Sequence, residues 1–291
     1  MNAVRILAND LTRGSLRIGV CIFIMTLTSG ALEAKETRYF VMMPDGAVTA
    51  QTVSEIMVGL TDPDPQARSS AALLLRHVET HESQQIIPPL IQLLDDSVEA
   101  VRHQAVETLY YVGPDAVLAL IEVVKGQGIT SGRHDTSVRL QRLAVETLGS
   151  LAWRSDHAKK ALLDIVQDPN IHTVVRYSAF GGLSRLGTGA PGVAPILIDL
   201  VQRTNEDLSL RQAAIMTLEA LGPQPETVEA LGKLLRDGDV PIRQEAASAL
   251  ARLGPPAKRA LPQLQAALND GDAEVRARAA IALKEIEKEN H

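Results

Sequence analysis

Two histidines near position 80 have a type and spacing that can bind a metal ion. His77 and His81 lie four residues apart, with Glu79 and Glu82 beside them, so one helical face could present both imidazoles. The order His-Val-Glu-Thr-His is not that of a zinc metalloprotease, and the pattern offers no third ligand. We therefore interpret both histidines as surface residues and predict no metal site.

A glycine-rich stretch between residues 125 and 137 contains the other residues with chemical potential. Arg133, His134 and Asp135 are adjacent there, but a catalytic histidine needs a nucleophile held opposite it, and the pattern suggests none. The glycines of this stretch lack the Lys-Ser/Thr that completes a phosphate-binding P-loop. The sequence therefore predicts that the protein is not an enzyme and needs no cofactor.

Aromatic residues are the more promising recognition elements. Five of the eight lie between positions 110 and 180, and Tyr and Trp are enriched at binding hot spots. We predict a partner-binding surface made of Tyr110, Tyr111, Trp153, Tyr177, Arg133 and His134. The spacing favours exposure of Tyr110 and Tyr177, and the alternative for Tyr111, Trp153 and Phe180 is burial in the core.

These residues must be positioned by a repeated element. A key Arg is followed by Ala three residues later, by Leu seven later and often by Gly eleven later, in copies that begin at Arg68, Arg102, Arg176, Arg211, Arg243 and Arg276. A seventh copy has Gln141 at the key position, and the copies recur every 32 to 39 residues. The Ala and Leu share one helical face, the Gly is a left-handed stop, and an apolar stretch precedes each Arg. The pattern predicts an all-α solenoid, a superhelical array of about seven helical hairpins over residues 51–291.

The repeat resembles a known family. The pattern D-x-x-x-R-x-x-A-x-x-x-L-x-x-x-G from Asp239 to Gly254 is similar to the HEAT repeat, in particular the short form of phycobilin-lyase-like arrays. The resemblance covers residues 50–288. It implies that second helices line a concave face and that turn Asp and helix-opening Arg residues form a ladder between repeats. The residues assigned to this ladder are Asp64, Arg68, Arg102, Arg176, Asp207, Arg211, Asp239, Arg243, Asp272 and Arg276. Because the pattern breaks at Val98, Gln141 and His172, we expect the ladder to be interrupted through repeats 2 to 4.

The first 34 residues differ from the repeats. Three Arg residues precede an apolar run from 18 to 27, and small residues follow it, which is typical of a secretory signal peptide cleaved after Ala31 or Ala34. The alternative is an uncleaved segment that anchors the chain in a membrane. We predict a signal peptide at 1–34, a linker at 35–50, and a periplasmic or secreted protein with no membrane span after cleavage.

The net charge and one insertion give further information about possible partners. The net charge of −6 and the pI of about 5.7 argue against nucleic acid as a partner. The 39-residue interval places an insertion at 125–137, which is either a contact site or a tolerated loop. We predict an exported, noncatalytic scaffold that binds a protein or peptide through its concave face. The alternatives are a bilin-lyase-like enzyme or accessory protein, and a structural spacer.

Overall fold

The computed structural model describes residues 22–26, 37–42, 48–78, 82–126 and 134–288. The chain forms two compact units, Met1–Ala119 and Leu120–His291. Each unit is described separately below.

The first unit begins with a small antiparallel sheet. Its strands are β1 (Ile22–Thr26), β2 (Thr37–Met42) and β3 (Val48–Gln51), in the order β1-β2-β3. In the central strand, Tyr39 pairs with Ile24 on one side and with Gln51 on the other. Tyr39 is only 1% exposed, and its hydroxyl donates a hydrogen bond to Glu82 Oε2 at 2.8 Å. The segment that we expected to be a linker therefore contains two strands, and Tyr39 ties it to the helical part of this unit.

Helical hairpins follow the sheet. The first unit contains α1 (Val53–Val58), α2 (Pro65–Leu75), α3 (Ser83–Leu93) and α4 (Glu99–Val112), and the units divide within α5 (Val117–Val124). The helices of the second unit are α6 (His134–Leu151), α7 (Asp156–Gln167), α8 (Thr173–Ser184), α9 (Val193–Gln202), α10 (Leu208–Ala220), α11 (Pro225–Leu234), α12 (Val240–Leu253), α13 (Leu261–Ala267) and α14 (Ala273–Glu287). Odd-numbered helices are the first helices of the hairpins, and even-numbered helices are the second.

The repeated small apolar residues explain why these hairpins stack. Ala105 and Leu109 of α4 and Ala246 and Leu250 of α12 are fully buried, at the positions three and seven residues after the key Arg. A small Ala lets neighbouring helices approach closely, while Leu fills the space one turn later. The burial of these repeated Ala and Leu residues confirms the predicted all-α solenoid of HEAT-like hairpins.

Glycine ends several second helices as the pattern predicted. Gly113 and Gly254 follow α4 and α12 with φ of 83° and 64°, values that residues with a Cβ adopt with difficulty. A proline follows each of them and prevents the helix from continuing. In the part of the chain that the structure describes, no helix is long and apolar enough to cross a membrane.

Candidate partner-binding surface

The key arginines join consecutive hairpins. Arg68 Nη1 donates to the carbonyl oxygens of Asp62 and Pro63 in its own turn, at 2.8 and 3.1 Å. Its Nε and Nη2 donate to both carboxylate oxygens of Asp96 in the next hairpin, at 2.7 and 2.9 Å. Arg243 repeats this geometry with the carbonyls of its own turn and with Asp270. One guanidinium thus binds the carbonyl oxygens of its own turn and the carboxylate of the next turn, and so holds the two turns together.

The key residues of the other repeats also donate to carbonyl oxygens of their own hairpins, but their further partners differ. Arg176 donates to the Val166 carbonyl oxygen and to both oxygens of Glu206. Arg211 is fully buried and binds the Val201 carbonyl and the carboxylates of Asp237 and Asp239. Arg102 and Arg276 each donate to two carbonyls of their own turns. Gln141 Nε2 donates to the Val124 carbonyl at 2.8 Å, so it retains the carbonyl contact without a charge.

The acids of the ladder differ from those expected. Asp64, Asp207 and Asp272 accept hydrogen bonds from backbone N–H groups of the helices that they precede, and so act as N-caps. Asp239 instead accepts a hydrogen bond from Arg211. The remaining arginine partners, Asp96, Glu206, Asp237 and Asp270, lie one or two residues before the cap position, because a capping carboxylate points into its own helix. Arg68 and Arg176 therefore form ion pairs with the next hairpin despite Val98 and His172. The described contacts of Arg102 and Gln141, in contrast, stay within their own hairpins.

Arginine contacts lower the pKa of three of these acids. Burial alone would raise the pKa of Asp96, but the hydrogen bonds from Arg68 and the Val98 N–H, with the charges of Arg68 and Arg102, outweigh it. The pKa of Glu206 is lowered mainly by its hydrogen bonds with Arg176. That of Asp270 is lowered mainly by its hydrogen bonds with Arg243.

The predicted aromatic residues lie in different units. Tyr110 and Tyr111 belong to the first unit, where their rings meet edge to face at 5.5 Å and the Arg76 guanidinium lies 4.0 Å from the Tyr111 ring centre. Trp153 and Tyr177 belong to the second unit. Tyr111, Trp153 and Tyr177 are 48%, 68% and 50% exposed, whereas Phe180 is buried. Arg133 lies outside the described residues, and His134 begins α6.

Trp153 and Tyr177 also occupy opposite ends of their helices. Trp153 follows the end of α6, twelve residues after the key Gln141, whereas Tyr177 lies one residue after the key Arg176 in α8. When α6 and α8 are aligned on their key residues, these two positions differ by about 16 Å along the helix axis, at 1.5 Å per residue. Trp153 lines a separate concavity of about 470 Å³ with Arg154, Lys159 and Leu186. The two aromatic residues therefore do not form one cluster.

Tyr177 belongs instead to an exposed stripe along α8, which we define as Val174, Tyr177, Gly181 and Arg185. These residues are spaced by three and four, so they lie on one helical face, and all four are exposed. Neighbouring α10 exposes Leu208 and Met216. Counted from the key residue of its own hairpin, Leu208 lies at −3, Val174 at −2, Tyr177 at +1, and both Met216 and Ile281 of α14 lie at +5. Steps of three or four residues join −3 or −2 to +1 and +1 to +5, so these positions share one helical face.

Contacts at both ends align α8 with α10. Arg176 near the start of α8 pairs with Glu206 just before α10, and Ser184 Oγ at the end of α8 donates to Thr217 Oγ1 at 3.1 Å. The two helices therefore run in the same direction. Met216, next to Thr217, lies at the level of the last turn of α8, beyond Gly181.

Family and structure comparisons place this geometry in a known class. The sequence matches the HEAT repeats family over residues 53–125, 127–219 and 200–284. The chain belongs to the HEAT-repeat family. A comparison with curated proteins finds no match.

The chain is also similar, at low sequence identity, to several solved structures. A Kap121p mutant is 15% identical with a TM-score of 0.54, and the match covers 80% of this chain and 29% of that one. Human deoxyhypusine hydroxylase in complex with glycerol is 22% identical with a TM-score of 0.39, over 81% and 84% of the two chains. The complex of CpcE and CpcF of phycocyanin lyase from Nostoc is 18% identical with a TM-score of 0.35, over 81% and 95%.

Four residues of the HEAT second helices were missed by sequence reasoning: Val174, Leu208, Met216 and Ile281. The sequence does contain a signal for these four residues. When the repeats are aligned on the key residue, they fall at positions on the helical face that the buried Ala and Leu do not occupy. Only Tyr177 of this face is aromatic, so the aromatic residues alone do not reveal the pattern. Within the described residues, no group of three or more His, Cys, Asp or Glu side chains is placed to hold a metal ion.

Proposed function

We propose that this protein is a noncatalytic HEAT-repeat scaffold that binds a protein or peptide through the exposed face of its second helices. The observation that carries the proposal is the alignment of Val174, Tyr177, Leu208, Met216 and Ile281 on that face. Large apolar side chains that cluster on one surface favour association, because covering them removes apolar area from water.

The ladder supports this role by holding the face in place. Each key arginine binds backbone carbonyls, and several bind carboxylates of the next hairpin, so consecutive second helices in the second unit have a fixed spacing. A preorganised surface loses less conformational entropy on binding than a flexible one. The ladder residues therefore have a structural role, and the exposed apolar residues of the second helices form the surface available to a partner.

Affinity capture with surface variants tests the proposal. The full chain, a Tyr177→Asp/Met216→Asp variant and a Gln202→Asp/Gln265→Asp control would be expressed with one tag in the source cells, and captured proteins quantified by mass spectrometry. Gln202 and Gln265 are exposed on first helices, so the control adds the same charge elsewhere. We expect wild type and the control to capture a specific partner, and the Tyr177→Asp/Met216→Asp variant to capture about tenfold less of it, or lower still. Equal capture by all three proteins would reject the second-helix face as the binding surface.

We also propose that the scaffold works outside the cytoplasm. The basic, apolar and small residues of segment 1–34 support export, and cleavage after Ala31 or Ala34 leaves a chain without cysteine, since Cys21 is the only one. A protein without thiols suits an oxidising compartment.

A further inference from the structure

The key arginine of the α13–α14 hairpin makes only part of the ladder contacts. Arg276 Nη1 donates to the carbonyl oxygens of Asp270 and Gly271 in its own turn, at 2.7 and 3.1 Å. Arg243 makes the same contacts and also donates through Nε and Nη2 to Asp270 of the next hairpin. No described residue supplies such a carboxylate to Arg276. Arg102 also has described contacts only with its own turn, but it is partly buried, whereas Arg276 is exposed.

The apolar surface beside Arg276 is uncovered as well. Leu268, just after α13, is 39% exposed, whereas Leu235 at the equivalent position of the preceding hairpin is 3% exposed. Ala280, four residues after Arg276, is exposed. The equivalent residues of α8, α10 and α12 are buried, namely Phe180, Ile215 and Ala247. The α13–α14 hairpin thus presents the surface that earlier hairpins use to bind their successors.

The first hairpin carries the matching acid. Asp62 lies six residues before its key arginine, the position that Asp96, Asp237 and Asp270 occupy in their own hairpins. All four aspartates accept a hydrogen bond from the backbone N–H two residues later. The other three also accept from the arginine of the preceding hairpin. A strand instead of a hairpin precedes α1, and no described arginine side chain donates to the Asp62 carboxylate.

Leu74 of α2 is the apolar residue that matches Ala280. Leu74 lies six residues after its key arginine and is only partly buried. Thr108 at the same position of α4 donates from Oγ1 to the Ala72 carbonyl at 2.8 Å, so position +6 of one hairpin meets position +4 of the preceding one. In this register Leu74 would meet Ala280, which is at position +4. Other residues at position +6 are buried: Thr108, Thr217, Ala249 and Ala282.

The sheet is anchored at the other end of α2. Tyr39 of β2 binds Glu82 in the loop after α2, whereas Asp62 lies in the turn before α2. The 11 residues of α2 separate these two positions by about 16 Å. The contact that ties the sheet to the hairpin is therefore remote from Asp62.

We propose that the protein associates head to tail with a second copy of itself. Asp62 of one copy accepts hydrogen bonds from Arg276 of another, in the geometry of Asp270 with Arg243, and Leu74 covers Ala280. The contact continues the stacking of hairpins within the chain and removes apolar area from water at both ends. Because the two surfaces differ, association continues beyond a dimer unless the copies close into a ring.

This contact goes beyond the proposed function and uses a different surface. Stacking engages the key arginine and positions +4 and +6, whereas the exposed apolar residues of the second helices lie at −3, −2, +1 and +5. A chain in a head-to-tail assembly therefore keeps its second-helix face available to a partner.

Sedimentation velocity of the full chain over a range of concentrations tests the proposal. Arg276→Gln keeps a donor for the carbonyls of its own turn, and Asp62→Asn keeps an acceptor for its own turn, so each variant removes mainly one charge of the proposed pair. Lys258→Gln and Glu226→Gln are controls that remove exposed charges of the same signs elsewhere. Melting temperatures would establish that each variant is folded.

We expect the mean molecular mass of the wild-type protein to rise with concentration. Arg276→Gln and Asp62→Asn should each weaken association about tenfold or more, and the two controls should not. Ala280→Arg should also weaken it, because it places a charge opposite Leu74.

Charge reversal gives a sharper test of the pairing. Arg276→Asp and Asp62→Arg should each block self-association, because like charges then face each other. An equimolar mixture of these two variants should associate, and so should the variant that carries both changes, because opposite charges meet again.

Several results would overturn the proposal. One is a wild-type chain that stays monomeric up to its solubility limit. Another is association that persists in Arg276→Gln and Asp62→Asn, or folded charge-reversed variants that fail to associate when mixed. Association that is lost in Tyr177→Asp/Met216→Asp but kept in the end variants would place the contact on the second-helix face and reject the end-to-end pairing. Capture of a partner protein is measured separately, so the proposed function can fail or succeed independently of these results.

Discussion

At the scale of single residues, Arg211 shows how strongly one side chain can depend on a neighbouring hairpin. Its guanidinium has no exposed surface, and its charge is balanced by Asp237 and Asp239 of the next turn. A buried cation without its carboxylates would be far less stable, because the low-polarity interior does not solvate it. The contact between hairpins is therefore electrostatic as well as apolar.

Removing Asp237 should consequently destabilise the protein. We expect Asp237→Ala to lower the free energy of unfolding by about 3 kcal/mol, because it leaves Arg211 with only the more exposed Asp239. The matched control is Asp164→Ala, which breaks the exposed Lys160–Asp164 pair and should change stability by less than about 0.5 kcal/mol. Urea titration of both variants would measure the difference. Equal effects would show that the buried pair has no special role.

Lowered carboxyl pKa values also predict how stability changes with pH. Asp96, Glu206 and Asp270 have folded-state pKa values below their ordinary values of 3.8 or 4.5. Their contribution is therefore complete above those ordinary values and is lost as the pH falls through the lower folded-state values. We expect stability to decline in acid below about pH 4.5. Glu206→Gln should reduce this decline, and parallel curves for wild type and variant from pH 7 to pH 3 would contradict the assignment.

At the scale of helices, two adjacent glycines of α8 have opposite roles. Gly182 lets α8 approach α6, since a Cβ there would clash with the Gly149 Cα and lie 2.9 Å from Leu162 Cδ1. Gly181 faces open space. The same substitution at these two positions therefore separates a packing requirement from a helix-propensity cost.

Alanine at each position should produce effects of opposite sign. We expect Gly182→Ala to lower the free energy of unfolding by about 1–3 kcal/mol, because the helices must move apart. Gly181→Ala should raise it by about 0.5–1 kcal/mol, because alanine favours the helix and meets no close neighbour. Thermal and urea unfolding of the two variants provide the measurement. A loss of stability in Gly181→Ala comparable to that in Gly182→Ala would show that residue 181 is packed.

The helices were predictable because their pattern is local. Ala105 and Leu109 reveal a buried face through their spacing, and Gly113 marks the end of that helix. The partner of Arg68 was harder to predict, because the pairing with Asp96 depends on the contact between two hairpins. Asp96 also lies two residues before the turn position at which the HEAT pattern has its Asp. Strand β1 was missed for a similar reason, because the apolar run from 18 to 27 matches a signal peptide and its pairing with β2 depends on a distant segment.

At the scale of the whole molecule, the proposed export would have a structural consequence for the sheet. Cleavage after Ala31 or Ala34 would remove β1, and β2 would then retain only its pairing with β3. We expect the protein isolated from its source cells to begin at Leu32 or Lys35. Intact mass measurement and N-terminal sequencing would establish this. A chain that retains residues 22–26 would show that β1 is part of the functional protein and that the segment is not a cleaved signal.

Photo-cross-linking would show whether a partner lies on the second-helix face, as proposed. A photoreactive amino acid would be placed at position 177, 216 or 281 on second helices, or at the exposed control positions 202 and 265 on first helices, in intact source cells. We expect positions 177 and 216 to cross-link to the same protein, and positions 202 and 265 not to cross-link to it. Cross-links to that protein from the first-helix positions alone would contradict it.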